Sequence, residues 1–439
     1  MTDDRPFWDK QVETISRDEL AALQLARLRT QVDRLYHGSV FYREKLTATG
    51  FEPGALESLD DLTRLPLVTK QELREEQVSH PPFGRYTLVP PRQWAELHPS
   101  TGTTGVPVAT IWSVRDVNVI TDVTARTMWG VGVRSGDIVQ NAFAYGLWVA
   151  GMSVHYATRH LGCFVIPIGA IATEQQIHYL RMAGPTVLFS TPSYALHIAE
   201  RLKERGVAPS ELSLRVGCFG GEAGTENPAT RAKIEDGLGI KAYDYFGLGE
   251  IGPTMACECT AKVGLHWSED LHIVEIIDAV TRRPVRAGET GIVVLTHLDR
   301  DATPMLRYWT NDYAKLDTSP CVCGRTHARS PGGILGRADD LVIFRGAKFY
   351  PVQVEQVVRS LDGLGDEFRI ERRHVGDGVV ETCVVVAELA PGAEAQQAGV
   401  RDQLQDSLRS ALGVTPEVRV EPFGAIERTT FKAKRLIDL

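Results

Sequence analysis

Apolar residues recur at three- and four-residue spacing near the start of the chain, at Leu25, Leu28, Val32 and Leu35. That period places them along one face of a helix. Just upstream, Ser16–Glu19 reads SRDE, in which the serine and the glutamate each satisfy the other's backbone N–H, so the helix is predicted to begin there. The pattern then changes. Short β-rich runs, VLFST at 187–191 and LRVGCFGG at 214–221, alternate with helical stretches, which predicts an α/β architecture. From Ile273 the runs IVEII and GIVVLT, parted by polar and glycine-bearing turns, predict paired strands.

The C-terminal part has its own rhythm. After GILGRADD at 333–340, LVIF predicts a strand and PVQVEQVVRSL a helix. FRIERR and VVETCVVVAEL predict strands, AGVRDQLQDSLRSALG an amphipathic helix and PEVRVEP a closing strand. The expected fold class is therefore α/β: a large domain with mixed sheets over 1–338, then a small α+β domain over 339–439. The boundary falls at two adjacent acids, Asp339 and Asp340.

A chain of 439 residues is too long for one typical core, in keeping with that division. Its net charge is −8 and no basic cluster stands out, which sets nucleic acid aside as a partner. No uninterrupted apolar run reaches membrane-spanning length, and MTDDRPFWDK lacks the order of a secretory signal, so no membrane partner and a cytoplasmic location are expected. Seven cysteines, an odd number, argue against a disulfide framework. Four stand in two close pairs, Cys257/Cys259 and Cys321/Cys323, which points to metal chemistry.

The densest chemistry is PSTGTTGVP at 99–107. Gly102 and Gly105 admit backbone conformations closed to other residues. Ser100, Thr101, Thr103 and Thr104 supply hydroxyls, and successive amides in such a loop can cradle an anion. The GK[ST] ending of a Walker loop is missing. Further along stand GGEAGTE, YFGLGEIGP, RYWTND, GRADDLVIFRGAKFYP and RTTFKAKR, in that order up to Arg435. Together these stretches resemble the adenylate-forming enzymes: acyl-CoA synthetases, luciferases and adenylation domains. Within them the chain is most similar to the phenylacetate–CoA ligase family, to which AYGLWVAGMSVHYATRHLG at 144–162 and the N-terminal FWDKQVETISRDELAALQLARLR also correspond.

The resemblance implies an acid–CoA ligase working through an acyl adenylate, with ATP, Mg²⁺ and coenzyme A. It implies a nucleotide site made of the hydroxyl loop, Gly220, Gly221 and Glu222, the run Asp244, Tyr245, Phe246 and Gly247, and the ribose contacts Asp312 and Arg337. Phe246 would stack on adenine. Glu250 would hold Mg²⁺, since a carboxylate beside phosphates needs a cation between them. Lys432, with Lys434 as the runner-up, would enter the site during adenylation, and Thr101 counts with Glu250 and Lys432 as catalytic. Asp339 would be the hinge about which a mobile small domain turns between half-reactions. The chain departs from the family at Phe246, usually Tyr, at Gly249, usually Ser or Thr, and at Val106, where a lysine is common.

Cys259, His266, Cys321 and Cys323 offer three thiolates and an imidazole, a set suited to structural Zn²⁺, with Cys257 an alternative to Cys259. Tyr145, Trp148, Phe143 and Ile251 would line an apolar pocket for an aromatic carboxylic acid such as phenylacetate or benzoate. A carrier-protein arm or an amine in place of coenzyme A, a nucleotide-binding sensor without activity, and a homodimer stay open as alternatives.

Overall fold

The computed structural model describes residues 5–100, 106–375, 379–428 and 433–439. The chain forms two compact units. The first comprises 1–170, 185–189 and 243–334; the second comprises 171–184, 190–242 and 335–439. The sequence boundary at 338/339 thus falls close to one join, but the unit that holds the C-terminal segment also takes in 190–242.

In the first unit the helix Arg17–Gly38 starts at Ser16 with both halves of its capping box in place. Leu28, Val32 and Leu35 are buried, and Leu25 is half-buried at the edge of that face. Two buried glutamines share the helix. Gln24 donates to the Glu269 carbonyl at 2.9 Å and Gln31 to the Arg300 carbonyl at 3.0 Å, so the polar atoms taken from water are repaid with partners. The predicted strand pair is present as His272–Ile277 against Gly291–His297, antiparallel, with Tyr308–Ala314 beyond it. A second antiparallel group runs Arg329–Ser330, Leu265–Trp267, Gly252–Cys257, Lys241–Leu248. Ile138–Asn141 lies parallel between Phe164–Ile166 and Val187–Ser190. The hairpin Glu96–Pro99/Ala109–Trp112 flanks the hydroxyl-rich loop.

In the second unit the predicted C-terminal elements form as strands Val342–Phe344, Leu364–Val375, Val379–Leu389 and Glu417–Glu421, with helices Pro351–Ser360 and Gln397–Leu412. Val354, Val358, Leu404 and Leu408 from the helices share one core with Phe368, Ile370 and Val385. A strand absent from the sequence reading, Leu436–Asp438, pairs in parallel with Ile370–Arg372. It is too short to show a period. Segment 190–242 joins this unit through polar contacts: Lys233 Nζ lies 2.6 Å from Asp366, and Arg359 donates to Thr230 at 2.5 Å.

Candidate active site

Within the first unit, the hairpin closes the neck of the hydroxyl loop. Ser100 N–H donates to the Val108 carbonyl at 2.8 Å, and Val108 N–H returns a bond to Ser100 Oγ at 3.0 Å. The assigned loop residues Thr101, Gly102, Thr103, Thr104 and Gly105 lie outside the described residues, as does Lys432.

The turn carrying Glu250 lies against this neck. A Cβ at Gly249 would stand 3.3 Å from Ser100 Cα, tighter than an unstrained contact, and the Gly249 carbonyl accepts from Thr110 Oγ1 at 3.2 Å. The missing side chain at 249 is thus matched by a close backbone approach. Glycine is obligatory at 247, where a Cβ would meet the Pro253 carbonyl oxygen at 2.0 Å. The Glu250 carboxylate is buried and stands 2.8 Å from Lys70 Nζ. Lys70 opens the helix Lys70–Ser79, capped by Thr69 and Glu72. One turn on, Arg74 donates to the Val106 carbonyl at 3.1 Å. The helix therefore sets two cations by the loop whose own lysine position is valine. The T-x-x-E box marks that helix start in the sequence, but nothing local ties Lys70 to a glutamate so far along the chain.

Asp244 and Asp312 are buried. Asp312 follows Asn311, whose φ of 68° is left-handed, and its N–H bonds to Thr310 Oγ1 at 3.0 Å. Phe246 is half-buried and meets Trp267 edge-on at 5.9 Å. Phe143 is fully buried, with Trp148 at 5.0 Å and Tyr245 at 5.8 Å around it in edge-to-face contact. Ile251 belongs to the unit's main core. Tyr145 heads a polar chain. Its hydroxyl accepts from Asn141 Nδ2 at 2.8 Å and lies 3.3 Å from His155 Nδ1. Burial pushes the Tyr145 phenol up to about 12 and holds the His155 imidazole below its ordinary value, so the hydroxyl donates to a neutral ring.

In the second unit, Gly220 N–H meets the Ser190 carbonyl at 3.3 Å, and Gly221 sits at a φ of 87°, a conformation that favours glycine. The Glu222 carboxylate is spent on main chain: it accepts from Ser193 N–H at 2.9 Å and from Ala433 N–H at 2.7 Å. Ala433 directly follows Lys432. Sequence reasoning placed Glu222 with the nucleotide and had no signal for this contact. Arg337 forks onto Asp339 at 3.1 and 3.0 Å, beside the short 3₁₀ turn Ala338–Asp340.

The cysteine set converges in the first unit. The ligand atoms of Cys259, His266, Cys321 and Cys323 lie within 4.8 Å of one another. Zn–S bonds of about 2.3 Å at tetrahedral angles put neighbouring sulfurs about 3.8 Å apart. Cys259 and Cys321 sulfurs are 3.9 Å apart, and Cys323 Sγ is 3.7 Å from His266 Nε2. His266 Nδ1 faces the His327 carbonyl at 3.1 Å, which keeps the proton there and leaves Nε2 free to ligate. The Cys323 thiol is held far below its usual range, first by a hydrogen bond from the Cys259 thiol. Cys257, the alternative, ends its strand opposite His266 and is not in the set.

Residues 44–309 match the AMP-binding enzyme family, and residues 346–439 match the AMP-binding enzyme C-terminal domain. The chain is 36% identical to the phenylacetate-coenzyme A ligase of Thermus thermophilus over 99% of both chains. It is 34% identical to that of Escherichia coli over 98% of this chain and 97% of the other. Among solved structures, 2-hydroxyisobutyryl-CoA ligase in its postadenylation state with 2-HIB-AMP is similar at a TM-score of 0.94 and 31% identity, covering 99% of this chain and 93% of that one.

Proposed function

As a member of the AMP-binding enzyme family, grouped with the phenylacetate–CoA ligases, the chain is an AMP-forming acid–CoA ligase, and we propose that the acid it activates is aromatic. The observation that carries this reading is end-to-end similarity to several phenylacetate-coenzyme A ligases at 34–37% identity. The aromatic stretch Tyr145–Trp148 supports it.

In the first half-reaction a carboxylate oxygen attacks the α-phosphorus of ATP and pyrophosphate leaves. In the second, the sulfur of coenzyme A attacks the acyl carbon, AMP leaves and the thiol proton is lost. The first step brings two anions together, so positive charge must be supplied. Lys70, Arg74 and Lys432 are the cations assigned to that task. Glu250 would hold Mg²⁺, whose charge screens the phosphates. The loop hydroxyls and amides orient the triphosphate, Asp312 and Arg337 the ribose, and Phe246 and Gly220–Gly221 the adenine. Asp339 is the pivot for the change to the second half-reaction. The Cys259–His266–Cys321–Cys323 set would hold a structural zinc, a closed tetrahedral staple with no open position for chemistry.

A second reading is a short hydroxy acid. The Asn141–Tyr145–His155 chain presents a hydrogen-bonding phenol, and a solved relative is named for a 2-hydroxy acid. Pyrophosphate release across phenylacetate, benzoates and branched hydroxy acids separates the two. Highest kcat/KM with an aryl acid supports the proposal; release with hydroxy acids alone overturns it.

A further inference from the structure

His297 ends the strand Gly291–His297 and is buried, yet it belongs to no ligand set and no proposed chemical step. Both of its ring nitrogens are occupied by main chain. Met305 N–H points at Nδ1 at 2.9 Å, so that nitrogen must be the acceptor and Nε2 must carry the proton. Nε2–H then donates to the Ile251 carbonyl at 2.9 Å. A charged ring would present a second donor to the Met305 N–H. Burial, the His272 ring at 5.1 Å and the nearby Arg300 guanidinium all hold His297 neutral.

Ile251 is the residue after Glu250. On one side of the Glu250 turn, Thr110 Oγ1 lies 3.2 Å from the Gly249 carbonyl and shares its one proton with the His98 carbonyl. Within the turn, Ile251 N–H bonds to Leu248 at 3.2 Å. On the other side the turn is held by His297. We propose that His297 is a positioning residue for adenylation. As a neutral Nε2–H imidazole it clamps the Ile251 carbonyl and fixes the direction in which Glu250 presents its carboxylate. The inference rests on the reading that Glu250 holds the magnesium of MgATP. A buried clamp one residue from a metal ligand matters because small misplacements are expensive: about 1 Å costs on the order of a hundredfold in rate.

The test uses the full-length enzyme and separates the half-reactions. Binding of ATP without acid is measured by calorimetry as magnesium is varied, where H297L and H297N should need more magnesium than the parent and H297Q should not. ATP–pyrophosphate exchange is measured over the same range, and thioester formation from supplied acyl adenylate. H297L is expected to raise the magnesium concentration needed for half-maximal exchange and to lower exchange kcat/KM roughly 10–100-fold. Thioester formation should stay within about twofold. H297Q, whose amide reaches the Ile251 carbonyl, should recover most of the loss, whereas H297N, one methylene shorter, should not. This pair carries the comparison if the leucine variant does not fold. Equal loss in both half-reactions, or equal exchange by the Gln and Asn variants, would overturn the inference. E250Q separates it from its premise. A parent-like magnesium profile in E250Q refutes the reading of Glu250, whereas an impaired E250Q beside parent-like H297L and H297N refutes the positioning role alone.

Discussion

Replacing Cys323 with serine removes one corner of the Cys259–His266–Cys321–Cys323 set. The corner matters beyond itself because the ligand segment also anchors the N-terminal part of the chain. Arg325 pairs with Glu13 at 2.6 Å, and Thr326 Oγ1 donates to the Ile15 carbonyl at 2.6 Å. Structural zinc in small four-ligand domains binds with about 10–16 kcal/mol, so one ligand in four carries roughly 3 kcal/mol. At about 2–4 °C per kcal/mol, the melting temperature should fall by roughly 6–12 °C. The assay is thermal unfolding with and without a zinc chelator, with metal content measured on the same samples. The parent should carry about one zinc per chain and lose more than this margin when chelated, whereas C323S should give up its metal at a lower chelator concentration. Its N-terminal segment should also become the first site of limited proteolysis. C257S, altered outside the set, should keep its metal. A metal-free parent with an unshifted C323S would refute the reasoning, as would loss of zinc in C257S alone.

Lys432→Ala is expected to cut acyl-adenylate formation about a hundredfold or more while largely sparing thioester formation from supplied adenylate, measured by exchange and by single-turnover thioester synthesis. Equal losses would contradict its role. Glu226 gives a pH signature. Burial, and then the neighbouring Glu355, raise its carboxyl to about 7. A raised carboxyl favours the protonated folded form, so its contribution to stability is full below pH ~4.5 and fades as pH rises through 7. Glu226→Gln should therefore raise the melting temperature at pH 8 and leave it nearly unchanged at pH 5; a uniform shift at both would count against this.

What could be read from the sequence was local. The Ser16 cap, the helical face of Leu28, Val32 and Leu35 and the C-terminal strand–helix order follow from neighbouring residues alone. The two cysteine pairs were visible as spacing. Choosing Cys259 over Cys257 needed the strand: Cys257 is its last paired residue, opposite His266, and Cys259 lies past the end. Contacts closed by distant segments left no trace. Lys70 meets Glu250, Glu222 binds the main chain next to Lys432, and His297 joins Ile251 to Met305, each across a separation that no periodicity encodes. The contacts that tie segment 190–242 to the C-terminal segment left no trace for the same reason, because Lys233 and Thr230 find their partners far along the chain.

Everything chemical here depends on activation of a carboxylate by bonding to the α-phosphate of ATP. It is tested most directly by supplying phenylacetate labelled with oxygen-18 in its carboxylate, together with ATP and coenzyme A, and weighing the nucleotide product. Attack on the α-phosphate leaves AMP carrying one labelled oxygen, unlabelled pyrophosphate and one equivalent of thioester. Label in inorganic phosphate with ADP as the nucleotide, or unlabelled AMP beside thioester, would contradict it.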